Sequence, residues 1–418
     1  MTYKAELTDN FLLGLDIGSA KICAAVGRMD ENGETEIAGV GVTPSAGVKN
    51  GVVVNIESTA GAIRKVVEDA KYTAGCDDLD YVIVGISGQQ IKGESARGVI
   101  SITKGDRTIT RAEVQRVIVA SQNEVLVPSD RQIMHILDKE FSVDNQSGIK
   151  TPIGMTGSKL EAFVHVITGL TPVIQNIKKA VERAGLNCDE RNIIFSPLAS
   201  SGAVLDVNEQ DMGVALIDIG AGTTDILVFH DGGIVYSGVL PVGGIHVTSD
   251  ISQGITTPLE AAELIKRTYG CAVLDLVDPA ETLEVPSVGG RPPRTLFRQE
   301  LIQIIEPRML EIMEMIDQEL IKSKVKDMLG AGIVFTGGTS MMDGTIEAAE
   351  KVINLPARIG VPRQVSGLKE IILTPQYANV VGLLKYGNMM RAFREQSAVR
   401  TDKPSFLSRL KRIIEDYL

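Results

Sequence analysis

Two short stretches carry residue types from which a phosphate site could be built. Gly14 to Lys21 reads GLDIGSAK and Leu216 to Asp225 reads LIDIGAGTTD, so a branched apolar run, an Asp-Ile-Gly and a turn of small residues occur twice. Glycine in such a turn lacks the Cβ that would keep a phosphate away, and backbone N–H groups and hydroxyls can converge on an anion. Gly18, Ser19, Ala20 and Lys21 in the first turn, and Gly220, Ala221, Gly222, Thr223 and Thr224 in the second, are the candidate phosphate contacts. The aspartates near the strand ends, Asp16 and Asp218, could hold Mg²⁺, through waters because this ion dehydrates reluctantly. One such turn alone is an ordinary hairpin. Two in matching context, half a chain apart, point to duplicated lobes facing a cleft.

Two further turns extend the pattern. PVGGIHVTSDI places Gly243 and Gly244 between a strand and a helix, whose N-terminus attracts anions. AGIVFTGGTSMMDG is a buried strand ending in Gly337, Gly338 and Thr339; alone it could be a structural turn, and with the others it completes a nucleotide pocket. Walker GxxxxGK[ST] and Rossmann GxGxxG patterns are absent.

The elements that must position these turns are legible in outline. Phe11 to Ile17, KICAAVGR and EIAGVGV read as a strand meander, followed by a helix over Ile56 to Ala74 and a buried strand over Tyr81 to Ile86. Residues 87–164 mix a helix over Arg111 to Glu124 with alternating stretches and read as an inserted subdomain. A helix over Val173 to Ala184 then leads into the second Asp-Ile-Gly strand. The fold class expected is α/β, with two lobes around a cleft.

The 418 residues include 42 Lys and Arg against 53 Asp and Glu, a net charge of −11 that gives the body no electrostatic reason to seek nucleic acid. The four cysteines form no CxxC pair, which suits a reduced, cytosolic setting, and the four histidines form no zinc motif. The N-terminus does not read as a signal peptide, and no stretch reads as a membrane span.

This arrangement resembles the actin, Hsp70 and sugar-kinase superfamily. Gly14 to Cys23 looks like its first phosphate motif, Ser196 to Val204 its first connection and Gly213 to Ile226 its second phosphate motif. Gly332 to Met342 looks like the adenosine motif and Asn379 to Gly387 the second connection. The resemblance implies ATP and Mg²⁺ as ligands, with Glu263, Lys266, Gly337, Gly338, Thr339 and Met341 about the adenosine. Over essentially its whole length the chain is similar to the actin-like bacterial cell-division proteins of that superfamily. Their organisation implies a lobe 1A over 1–86 and 165–205, a 1C subdomain over 87–164, a lobe 2A over 206–231 and 309–387, and a subdomain 2B over 232–308.

The resemblance also implies a role: a polymer that tethers the tubulin-like FtsZ through its C-terminal peptide, at the cytoplasmic face of the membrane at the division site, and recruits later division proteins through the insertion. The peptide would meet subdomain 2B, where Arg294 and Arg298, spaced i, i+4 and near Arg291, stand at the start of a helix continued by Leu301 and Ile305. One departure concerns hydrolysis: where chaperone relatives carry an acidic residue before the proline of the first connection, this chain has Ser196. A serine without an activating partner is no general base, so ATP turnover should be slow or undetectable.

The end of the chain has its own signature. Residues 388–404 read as a flexible tether with a reach of about 20 to 25 Å. In 405–418, Phe406, Leu407, Leu410, Ile413, Ile414, Tyr417 and Leu418 form one apolar stripe flanked by Arg409, Lys411 and Arg412. A basic amphipathic helix of this kind seeks an anionic membrane surface, although a terminal helix can instead dock on its own core. So short a helix binds weakly as one copy, and a head-to-tail polymer would multiply it. The competing readings are an MreB- or pilus-assembly-type scaffold and a small-molecule kinase of the same superfamily.

Overall fold

The computed structural model describes residues 11–398 apart from 32, 77, 78, 80, 104 and 290. Its architecture follows from strands apolar on both faces. Leu13, Leu15, Ile22, Ala24 and Val26 are fully buried, as are Val214, Leu216, Ile217, Ile226 and Val228 in the second half. Runs of this kind belong in the middle of covered sheets. The first sheet runs in the order Ile193–Phe195, Val82–Ile86, Leu12–Ile17, Lys21–Met29, Thr35–Pro44, Val365–Gly367. The second runs Gly233–Leu240, Thr224–His230, Val214–Ile219, Ile333–Thr336, Ala357–Ile359.

The two sheets repeat one plan. In each, the Asp-Ile-Gly strand is antiparallel to the strand that follows and parallel to a later one. The register is equivalent as well, with Asp16 opposite Cys23 and Asp218 opposite Asp225. Helix Ile56–Ala74 covers the first sheet; the Asn55 side chain accepts from Ser58 N to cap its start, and Gly75, at φ 65°, turns the chain out of its end. The helix Ser196–Val204 touches both sheets, and the helix Ala378–Ala398 packs on it and on the first sheet. A Cβ at Gly382 would stand 1.9 Å from the Ala199 carbonyl oxygen, so only glycine permits this approach.

Residues inserted after Ile86 form a sheet of their own, in the order Ile91–Ser101, Lys159–Leu170, Arg131–Val143, Gln146–Ile149, with helix Arg111–Glu124 packed against it. Ile109, Val117, Phe141 and Leu160 fill its separate core. This unit touches both lobes. Phe195 N donates to His135 Nε2 at 3.1 Å on the first lobe, while His165 Nε2 lies 2.8 Å from Ser237 Oγ on the second.

Four boundaries differ from the sequence reading. Val365–Gly367, expected in lobe 2A, pairs in parallel with the strand Thr35–Pro44 of the first sheet, and the helix Ala378–Ala398 packs on that sheet. Gly233–Leu240, expected in subdomain 2B, is the edge strand of the second sheet, and helix Arg298–Lys322 runs unbroken through residue 308. The helix Ala378–Ala398 also continues past Gly387, where the tether was expected. Asn388 and Met389 are buried there, and Asn388 Nδ2 donates to Thr35 Oγ1 at 3.2 Å, so tertiary contacts carry the helix onward. The apolar stripe of 405–418, Phe406 to Leu418, lies outside the described residues. Among the described residues no helix is long and apolar enough to cross a membrane.

Candidate functional site

The two small-residue turns close by the same hydrogen bond, Gly18 N to Lys21 O at 3.1 Å and Gly220 N to Thr223 O at 2.9 Å. They face one another across the cleft. A Cβ at Gly222 would lie 3.2 Å from Ser19 Oγ, so the absence of a side chain lets the turns approach. Gly243 and Gly244 pack on the second turn, with Gly244 N donating to Gly220 O at 3.0 Å and Ile245 N to Ala221 O at 2.8 Å. Thr339 Oγ1 donates to Gly220 O at 2.9 Å. Gly337 has φ +87°, and a Cβ there would stand 2.2 Å from Asp218 Oδ1. Lys266 Nζ donates to Gly244 O at 3.0 Å, Thr248 Oγ1 at 2.9 Å and Glu263 Oε2 at 2.6 Å.

Sequence-distant residues thus meet in one cleft: Asp16 and the first turn, Asp218 and the second, Gly243 and Gly244, Glu263 and Lys266, and the Gly337–Thr339 loop. The Lys21 ammonium donates to Gln376 O at 3.0 Å and lies 4.3 Å from the centre of the Tyr377 ring. Asn379 Nδ2 donates to Asp16 Oδ1 at 2.6 Å and to Ser196 Oγ at 3.0 Å. Asp225, on the second strand of its hairpin, accepts from Ser87 Oγ at 2.5 Å.

The electrostatics are those of a site with too much buried negative charge. Burial pushes the Asp16 carboxyl above its ordinary range, with Lys21 and Asn379 opposing. Asp218 rises to about 7, through burial first and the neighbouring Asp16 second. Asp225 is pushed well up by burial and then by Asp218. Lys21 and Lys266 are lowered, chiefly by burial. A cation placed among these carboxylates would relieve the repulsion. Among the described residues no group of three His, Cys, Asp or Glu side chains could hold a metal.

Comparison with known proteins decides the family. Residues 215–382 match the family model "Cell division protein FtsA", and residues 88–168 match "SHS2 domain inserted in FTSA". The cell division protein FtsA of Pseudomonas aeruginosa is 43% identical over 411 residues, covering 97% of each chain. That of Escherichia coli K12 is 37% identical over 416 residues, covering 98% of each. The chain belongs to the FtsA family.

Solved structures agree on the fold. The PilM-PilN type IV pilus biogenesis complex aligns with a TM-score of 0.64 at 16% identity, over 90% of this chain and 98% of that one. MreB 5 of Spiroplasma citri bound to AMPPNP aligns with a TM-score of 0.55 at 14% identity, over 93% and 99%. The FtsA-family chain therefore has the actin-like fold, with an SHS2 insertion.

Some expected site residues fall elsewhere. Thr224 is fully buried and its hydroxyl donates to Val242 O, so that side chain supports the hairpin and is turned away from the cleft. Arg294 and Arg298 do not share a helix: Arg294 opens the strand Arg294–Phe297 and Arg298 the helix after it. Leu301 and Ile305 have no exposure, because they face the second-lobe core, and cannot line an open peptide groove. Arg298 is committed to Glu281 at 2.8 Å and to Tyr269 O at 2.8 Å, and Arg294, although exposed, donates from its guanidinium to Ile255 O; Arg291 and Phe297 are exposed as well.

The cleft also holds residues the sequence reading left out of the site. Ser87 and Asp225 meet only because the two halves fold together, and no local pattern announces it. Arg267 lies near enough to influence both Lys21 and Lys266. Asn50 stands at the mouth, 2.9 Å from where a Gly222 Cβ would lie. Its neighbourhood, VKNGVV, carries an Asn-Gly hairpin signal that sequence alone could have flagged.

Proposed function

We propose that this FtsA-family protein binds ATP between its lobes, polymerises head to tail, and tethers FtsZ filaments to the cytoplasmic face of the membrane at the division site. The observation that carries the reading is the convergence of Ser19 and Gly222 from opposite lobes, with Gly243, Gly244, Lys266 and Thr339 arranged along the second turn. The backbone N–H groups of the turns and the Lys21 ammonium would hold phosphates; Glu263, Lys266 and the Gly337–Thr339 loop adjoin the nucleoside end. Asp16 and Asp218 would hold Mg²⁺, which when bound neutralises phosphate charge.

Hydrolysis in this reading is slow or absent. Ser196 is buried, and its hydroxyl oxygen is occupied by the Asn379 amide, which does not accept a proton from water. The site thus suits a nucleotide that holds the lobes in one relation more than one that is rapidly turned over. Attachment to an anionic membrane falls to the stripe from Phe406 to Leu418, and recruitment of later division proteins to the insertion. Exposed Arg291, Arg294 and Phe297 offer basic and apolar contacts to the FtsZ C-terminal peptide.

Reconstitution tests the whole: FtsZ filaments should pellet with anionic vesicles when the full chain and Mg-ATP are present. FtsZ that pellets equally without the chain, or stays soluble with it, contradicts the proposal.

A further inference from the structure

The strands Val48–Lys49 and Val52–Val53 form a small ribbon whose two-residue turn is Asn50-Gly51. Both turn residues have positive φ, 49° and 75°, as a type I′ turn requires. The ribbon is fixed from below. Gly51 N donates to Ser19 Oγ at 3.0 Å, Gln90 Nε2 donates to Gly51 O at 3.3 Å, and a Cβ at Gly51 would stand 2.0 Å from Ser87 O. Asn50 is thereby held over the gap between the two lobes, exposed, with its Oδ1 2.9 Å from where a Gly222 Cβ would be.

The second turn sets a direction along the cleft. Its Gly220 end touches Thr339 and Gly244, the nucleoside side of the site. Its Gly222 end faces Ser19 and Asn50. A phosphate chain that starts at the Thr339 side and runs along Gly220, Ala221 and Gly222 therefore ends beneath the Asn50 carboxamide. We infer that Asn50 is a ligand of the terminal phosphate, donating from its side-chain amide, so that the ribbon distinguishes a nucleoside triphosphate from a diphosphate. Because Gly51 is hydrogen-bonded to Ser19 and packed on Ser87, engagement of Asn50 also ties the first lobe to whatever the second turn holds. The inference rests on the nucleotide reading above and adds to it the residue that discriminates between nucleotides.

The test is equilibrium binding of AMPPNP and of ADP, each with Mg²⁺, to the full chain and to its Asn50→Ala and Asn50→Asp variants, with thermal unfolding as a check on folding. Loss of a hydrogen bond to a charged group predicts AMPPNP binding weakened about tenfold in Asn50→Ala, with ADP binding within about twofold of wild type. Asn50→Asp keeps the shape, adds a repelling charge, and should weaken AMPPNP further. Unchanged AMPPNP affinity in Asn50→Ala, or equal losses for the two nucleotides, overturns the assignment and leaves the nucleotide site standing. Wild-type protein that binds neither nucleotide overturns the site itself and the inference with it.

Discussion

The Ser87 hydroxyl donates to the Asp225 carboxyl at 2.5 Å and lies 3.2 Å from Thr223 Oγ1, joining the end of a first-lobe strand to the second-lobe hairpin. Asp225 is 4% exposed, so removing its donor leaves a buried carboxyl short of a partner. Ser87→Ala should cost about 1–3 kcal/mol in urea unfolding, and Ser87→Thr, which keeps the hydroxyl, much less. Equal midpoints for Ser87→Ala and wild type would show that the contact contributes nothing.

The buried carboxylates give the ligand-free protein a specific pH dependence. The Asp218 carboxyl titrates near 7 when folded against 3.8 in a free chain, so between those values the folded state holds a proton that the unfolded state has released. Stability from this group is therefore present in acid, falls as pH rises through that window, and is flat above it. Asp218→Asn should melt about 2–5 °C above wild type at pH 8, with the gap closing near pH 5. A variant that is less stable than wild type at pH 8 would reverse the sign and refute this account of the carboxylate.

At Gly382 the helix Ala378–Ala398 closely approaches the backbone of the helix Ser196–Val204. Gly382→Ala would set a methyl group against the Ala199 carbonyl and should lower stability by about 1–3 kcal/mol or more, the usual cost of overpacking. Calorimetry would read this directly. A stabilised variant would mean that the helices separate freely.

The arginines near the ribbon Thr282–Val285 and Arg294–Phe297 should divide by role. Arg291→Glu and Arg294→Glu are expected to weaken binding of the FtsZ C-terminal peptide severalfold, read by fluorescence anisotropy, with little change in melting for Arg291→Glu, while Arg294→Glu also loses its bond to the Ile255 carbonyl. Arg298→Glu breaks the bonds to Glu281 and the Tyr269 carbonyl and should lower the melting temperature. Peptide affinity untouched by both Arg291→Glu and Arg294→Glu would move the peptide site elsewhere.

What the sequence disclosed and what it hid divides by range. The Asp-Ile-Gly turns, the Gly-Gly turns and the helices Ile56–Ala74 and Arg111–Glu124 are local patterns, and the structure has both helices at the expected limits. The convergence of Ser19 with Gly222 could be anticipated from duplication alone. Val365–Gly367 could not be placed, since three residues pairing in parallel with Thr35–Ile37 leave no periodic trace. Leu301 and Ile305 looked like one wall of a groove because helical spacing gives an apolar face without saying what covers it; the second-lobe core does. Asp225 and Ser87 are ordinary residues locally, and their significance comes from a contact between residues far apart in sequence.

Co-sedimentation with anionic vesicles tests the central claim most directly, comparing the full chain with one ending at Lys403, each with and without Mg-ATP. Nucleotide-dependent assembly acting through a weak tail predicts that only the full chain pellets, and more strongly with Mg-ATP. Equal pelleting of both chains, or a full chain that stays soluble in every condition, would contradict it.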